Sequence, residues 1–293
     1  MSAPAASSLQ IGLFGAGRVA AQLAPALAAA SQEIAFISSR NAAPAEAIAA
    51  QLPNHPPVLT SANSSTALPA ADVYLLAVPD AAVPEVLAAT SWPAGAVVAH
   101  LAGALPLSVF EAVPGVRGGV FYPLQTFGPG RAVRWQAVPF FIEAADPLAQ
   151  NRLLTLARML SSNVRLLSSE ERLRLHVGAV FANNFTNHLL GIAHELLAEA
   201  GLPFELLAPL IRETVDKALA QPPFAVQTGP AVRHDAPTLA AHRATLARHP
   251  RWQQLYQELT ASIQVQQADA NSFADKLATN PPTSTQSKPS FDF

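Results

Sequence analysis

In the first half of the chain, short apolar runs alternate with longer stretches of helical periodicity. LQIGLF (9–14), EIAFISSR (33–40), PPVLTS (56–61), ADVYLLAVP (71–79), AGAVVAHLAG (94–103), GVRGGVFYPL (115–124) and VPFFIEA (138–144) each read as a buried strand. Between the first of them lie GAGRVAAQLAPALAAA (15–30) and APAEAIAAQL (43–52), alanine-rich segments with helical spacing. Strands that alternate with helices form parallel pairs joined by crossovers, so the expected fold class is α/β with a doubly wound parallel sheet.

From about residue 146 the pattern changes to helix after helix. PLAQNRLLTLARMLSS (147–162) is followed by the short apolar NVRLL, and then a long helix opens at Ser168 or Ser169 with a polar start that includes Glu171 and Arg172. It should stop near Ala200, where Gly201 and Pro203 end the periodicity. Further helices are expected over 203–221, 237–248 and 250–268. The expected organisation is a flexible start at 1–8, a sheet domain at 9–167, an all-α domain at 168–269 that binds substrate and dimerises, and a disordered tail at 270–293.

Composition narrows the class. Half of the residues are hydrophobic, 13% are charged, and the net charge of −2 is spread without long runs, so neither nucleic acid nor an anionic membrane is an expected partner. Cysteine is absent, which removes disulfides, thiolate metal sites and a cysteine nucleophile. The opening MSAPAASSLQ lacks the basic and apolar regions of a secretory leader, and no apolar run reaches the ~18–20 residues of a membrane span. A cytoplasmic protein is expected. The histidines show no metal-ligand spacing, so no metal is expected, and no serine sits in a nucleophile elbow.

The first strand–helix junction carries Gly15-Ala16-Gly17-Arg18-Val19-Ala20. The first glycine of such a loop permits the tight turn, the second lets backbone approach a pyrophosphate, and the helix N-terminus supplies positive dipole. The second strand ends in Ser38, Ser39 and Arg40, where an NAD site would place an acid for the ribose hydroxyls. Two hydroxyls and a guanidinium suit a 2′-phosphate, so the expected cofactor is NADP(H). Val78, Pro79 and Asp80 after the fourth strand, and Gly103 after the fifth, should flank it, because ligands lie beyond the carboxyl ends of parallel strands.

LFGAGRVA, AHLAGALP, FYPLQTFGPGR, HVGAVFANNFTNHLL and TGPAVRHD occur in that order. Together they resemble the NADP oxidoreductases that join a Rossmann-like domain to a helical C-terminal domain of unknown function, distant relatives of pyrroline-5-carboxylate reductase, ketopantoate reductase and the deazaflavin-dependent NADP reductases. The resemblance implies an active site between the two domains, a helical domain that commonly dimerises, and reduction of a small 2-keto acid, with 2-ketopantoate the best single guess. An imine reductase and a non-catalytic NADP(H)-binding sensor are the alternatives. Where the family often carries a hydroxyl residue after the histidine of AHLAGALP, this chain has Leu101.

Reduction of a carbonyl needs a proton donor beside the forming alkoxide. His100 at a strand end and His176 on the long helix are the candidates, with Tyr122 behind them. At 100° per residue, His176, Asn183 and Asn187 fall within about 40° of arc. That edge is expected to face the cleft, His176 donating the proton while the asparagines hold the substrate. Gln125, Thr126 and Arg233 are the expected substrate contacts, Arg233 as a carboxylate clamp or as a partner of Asp235.

Overall fold

The computed structural model describes residues 8–60, 67–128 and 130–279, with side chains described through Gln266. Strand β1 (Gln10–Phe14) leads through the glycine loop into α1 (Arg18–Ala29), β2 (Glu33–Ser38), α2 (Ala42–Ala49) and β3 (Val58–Leu59). β4 (Val73–Leu76), α3 (Val83–Ala89), β5 (Val97–His100), β6 (Arg117–Pro123), β7 (Phe140–Ala144), α4 (Pro147–Leu160) and β8 (Val164–Leu166) complete one eight-stranded sheet of order β3-β2-β1-β4-β5-β6-β7-β8. The order reverses at β1/β4, the switch point of a Rossmann-like sheet, so the expected doubly wound class is the observed one.

The sheet departs from uniform parallel pairing at one edge. β6 and β7 pair antiparallel, while β7 and β8 pair parallel. Between β6 and β7 the described residues make one short helical turn, Trp135–Ala137, and no crossover helix, so the chain returns in the opposite direction.

Alternation along β1 sends Ile11 and Leu13 to one face and Gly12 and Phe14 to the other. The first face packs on α1 and α4 through Leu23, Leu27, Leu153 and Leu156; the second gathers Phe36, Tyr74, Val98 and Phe110. Gly12 is bare because the Phe36 and Tyr74 rings lie over it, and a Cβ there would stand 2.6 Å from the Phe36 ring.

Beyond the sheet, α5 (Ser169–Ala179) begins at a capping box in which Ser168 and Glu171 satisfy each other's backbone donors. A π-helical segment, Val180–Phe185, then joins it to α6 (Thr186–Glu199). α7 (Ala208–Ala220), α8 (Ala236–Thr245) and α9 (Pro250–Thr279) follow, with Asp235 capping α8 through Thr238. Two compact units emerge, 1–186 and 187–293, where the expected domain boundary was 167/168. α9 extends over 270–279, the first part of the expected tail, and 280–293 lie outside the described residues, as do residues 1–7 of the expected flexible start.

The helical unit has a thin core. Neither α6 nor α7 contains a buried residue, and the buried apolar side chains among the described residues of this unit are Ala231, Leu239 and Leu246. No helix of the described residues is long and apolar enough to cross a membrane.

Candidate active site

Two features meet the carboxyl ends of the parallel strands. The first is a cavity of about 630 Å³ walled by the glycine loop, the end of β2 and the segment after β4. Gly15, Ala16 and Gly17 line it with Ser38, Ser39, Arg40, Val78 and Pro79. Gly15 has φ +101°, and a Cβ there would lie 2.8 Å from the Ala77 carbonyl carbon, so the turn itself requires glycine. Its N–H donates to the Ser38 carbonyl at 2.7 Å, which locks the loop to β2. Gly17 is different: a Cβ there would meet nothing within 4 Å. It opens α1 without a side-chain cap, so the first donors of that helix face open space.

Arg40 is exposed and makes no ion pair with the described residues, and the carboxylate on the cavity wall is Glu85, on α3 rather than at the end of β2. Arg18, Val19, Asp80 and Gly103, expected beside the cofactor, do not line this cavity.

The second feature is a pair of rings, Tyr122 near the end of β6 and His176 on α5. The Tyr122 hydroxyl lies 3.1 Å from His176 Nδ1, and the rings meet edge to face at 6.0 Å. Gly103 sits under both. A Cβ at that residue would stand 2.8 Å from the imidazole Cγ and 2.9 Å from Tyr122 Cζ, so Gly103 is glycine to admit the rings. Burial and the nearby Asp80 carboxylate raise the Tyr122 pKa, while the Arg172 guanidinium acts in the opposite direction.

α5 is tied to the sheet by a buried ion pair. Arg172, 1% exposed, donates through one terminal nitrogen to Glu143 of β7 at 2.6 Å and through the other to the Leu105 carbonyl. Glu143 also accepts from the Ser169 N–H at 2.9 Å and hydroxyl at 2.7 Å, and Ser169 Oγ accepts from the Leu107 N–H at 2.9 Å. The network joins β7, the start of α5 and the loop that carries Gly103. His176 stands one turn beyond Arg172 and is placed by this anchor.

Several sequence expectations change. His100, an expected candidate donor, is fully buried and stacks on Phe110 at 5.8 Å. Burial first, and the Arg172 charge second, pull its pKa down to about 3, so the ring is neutral. The Ala102 N–H donates to its Nδ1 at 3.2 Å, and Nε2 has no partner among the described residues. The single polar edge of His176, Asn183 and Asn187 is broken at the π-helical segment. One added residue in a turn rotates everything after it by about 100°, which takes Asn183 off the His176 face and brings Asn184 toward it. Asn183, Asn184 and Asn187 are all exposed.

Gln125 and Thr126 are exposed and bond to each other, the Thr126 N–H donating to Gln125 Oε1 at 2.7 Å. Arg233 lies exposed in the helical unit, where Asp235 is engaged as a helix cap. The Tyr122 pairing and the Glu143 anchor were not anticipated. FYP at a strand end hinted at the first; nothing local marked the second.

The comparisons with known proteins agree with this architecture. Residues 10–103 match a family model described as NADP oxidoreductase, coenzyme F420-dependent, and residues 138–263 match a domain of unknown function, DUF2520. A solved Bacteroides fragilis protein described as an NADP oxidoreductase is 37% identical, with 88% of this chain and 98% of that chain covered and a TM-score of 0.79. A reductive aminase from Aspergillus terreus, solved with NADPH and ethyl-5-oxohexanoate, is 14% identical over 94% and 95% of the two chains at TM-score 0.61. A 1-pyrroline-5-carboxylate reductase from Streptococcus pyogenes is 13% identical over 88% and 99% at TM-score 0.54. These last two share the fold. No curated protein matches the chain.

Proposed function

The chain belongs to the NADP oxidoreductase family of the Bacteroides fragilis protein, and from that premise we propose that it reduces a small 2-keto acid with NADPH at the carboxyl edge of its sheet. The observation that carries the reading is the cavity wall itself. Gly15 is required by its own backbone, but nothing among the described residues requires Gly17 to be bare. The open space in front of α1 fits a pyrophosphate on the helix donors, and Ser38, Ser39 and Arg40 fit a 2′-phosphate at the end of β2. When bound, NADPH supplies the hydride.

The protein's part is to orient the carbonyl and deliver a proton. His176 is the proposed donor, with Asn184 rather than Asn183 beside it on the helix face. A proton delivered to an alkoxide suits a carbonyl substrate; a protonated imine needs none. That favours the keto acid over the imine. 2-Ketopantoate is the first keto acid to try.

Replacing Arg40 by alanine tests the cofactor assignment. A charge-assisted contact to phosphate is worth ~1.5–3 kcal/mol, so NADPH should bind roughly 10- to 100-fold more weakly by fluorescence titration. NADH should be unaffected. An equal loss for both would refute the 2′-phosphate site.

We also propose that the active form is a homodimer built through the helical unit. α6 and α7 bury nothing, while Leu206 is 61% and Leu219 79% exposed. Covering one such side chain is worth ~1.5–3 kcal/mol, and a second copy covers both surfaces at once by two-fold symmetry. Light scattering should give the mass of two chains, and Leu219→Glu should give one. A wild-type protein that stays monomeric at high concentration would contradict the proposal.

A further inference from the structure

We propose that Tyr122 is a positioning residue that fixes the tautomer of His176 and reloads its proton during turnover. This rests on the reading of His176 as the proton donor. Tyr122 occupies the next-to-last position of β6 and is nearly enclosed. A buried phenol must place its proton on an acceptor. Among the described residues, the hydrogen-bond partner of the Tyr122 hydroxyl is His176 Nδ1. The phenol therefore donates, Nδ1 accepts, and the imidazole's own proton sits on Nε2.

Gly103 holds this arrangement. A Cβ at 103 would stand 2.8 Å from the imidazole Cγ and 2.9 Å from Tyr122 Cζ, so any other residue would push the rings apart. The groups that act on the phenol are His176, Asp80 and Arg172. Burial and Asp80 keep its proton in place at rest, and Arg172 favours the phenolate when one forms.

The step balances as follows. The substrate alkoxide takes the proton from Nε2, forming an O–H bond as the Nε2–H bond breaks. The Tyr122 O–H bond breaks as an Nδ1–H bond forms. The imidazole stays neutral, and the resting state returns when the phenolate takes the proton back from Nδ1 as Nε2 gains one from water. No oxidant or reductant beyond the hydride donor is involved.

Nitrogen-15 NMR of the imidazole in the full-length protein, assigned by comparison with His176→Gln, reads the tautomer directly. The expected spectrum has an unprotonated Nδ1 and a protonated Nε2, with mixed tautomers in Tyr122→Phe. A proton on Nδ1 in the wild type overturns the proposal, whether or not any variant folds. With a turned-over keto acid and NADPH, Tyr122→Phe should lower kcat about tenfold, shift the alkaline limb of the pH profile and leave NADPH affinity unchanged. If His176→Gln loses turnover while Tyr122→Phe keeps both kcat and pH profile, the Tyr122 relay is wrong. If His176→Gln keeps full turnover, the donor assignment beneath it fails instead.

Discussion

Arg172→Ala should destabilise the protein by about 3–5 kcal/mol, because it leaves a carboxylate in the sheet without its cation. Arg172 is among the largest fully buried side chains, and its partner Glu143 is largely shielded. Ser169 alone would remain to hold Glu143, and the Leu105 carbonyl would lose its donor. Urea unfolding should show the midpoint fall with little change in slope. The double variant Arg172→Met/Glu143→Leu should recover much of the lost stability, since buried ion pairs are often replaceable by packed apolar side chains. It should not recover full turnover, because the Leu105 carbonyl would lose its bond to α5 and α5 its bonds to β7, leaving Ser169 to Leu107 as the remaining tie. A single variant as stable as wild type would mean that this pair does not anchor α5.

The second large effect is on rate. His176→Gln should lower turnover by about 10²–10⁴-fold, the usual contribution of a positioned general acid. Glutamine keeps a polar side chain of similar reach but has no titrating proton. NADPH affinity should be retained, because His176 is not on the wall of the glycine-loop cavity. A loss of affinity as large as the loss of rate would point to a binding role.

Much of this arrangement was legible in the order of residues. β1, β2, β4, β5, β6 and β7 lie within the apolar runs, because strands buried on both faces leave continuous hydrophobic stretches. The glycine loop was readable because its geometry admits few residues, as Gly15 at φ +101° illustrates. The antiparallel return into β7 was not, since strand direction depends on whether a helix intervenes and not on the strand's own residues.

The helix edge misled for a different reason. A wheel drawn at 100° per residue assumes one hydrogen-bond pattern throughout, and the π-helical segment at Val180–Phe185 breaks that assumption in the middle of the asparagines. Arg172 read as part of the polar start of a helix, yet it is buried against Glu143, 29 residues earlier in the chain. Long-range ion pairs leave no local periodicity. His100 looked like a candidate donor because it ends a strand at the right edge of the sheet; its enclosure against Phe110 could be seen only in three dimensions.

The most direct test follows NADPH consumption by the full-length protein against a panel of 2-keto acids, 2-ketopantoate included, and cyclic imines, with His176→Gln run beside the wild type. At least one keto acid should be reduced by the wild type, and the His176→Gln rate on it should collapse. Tight NADPH binding with no turnover across the panel would contradict the account and favour a non-catalytic sensor.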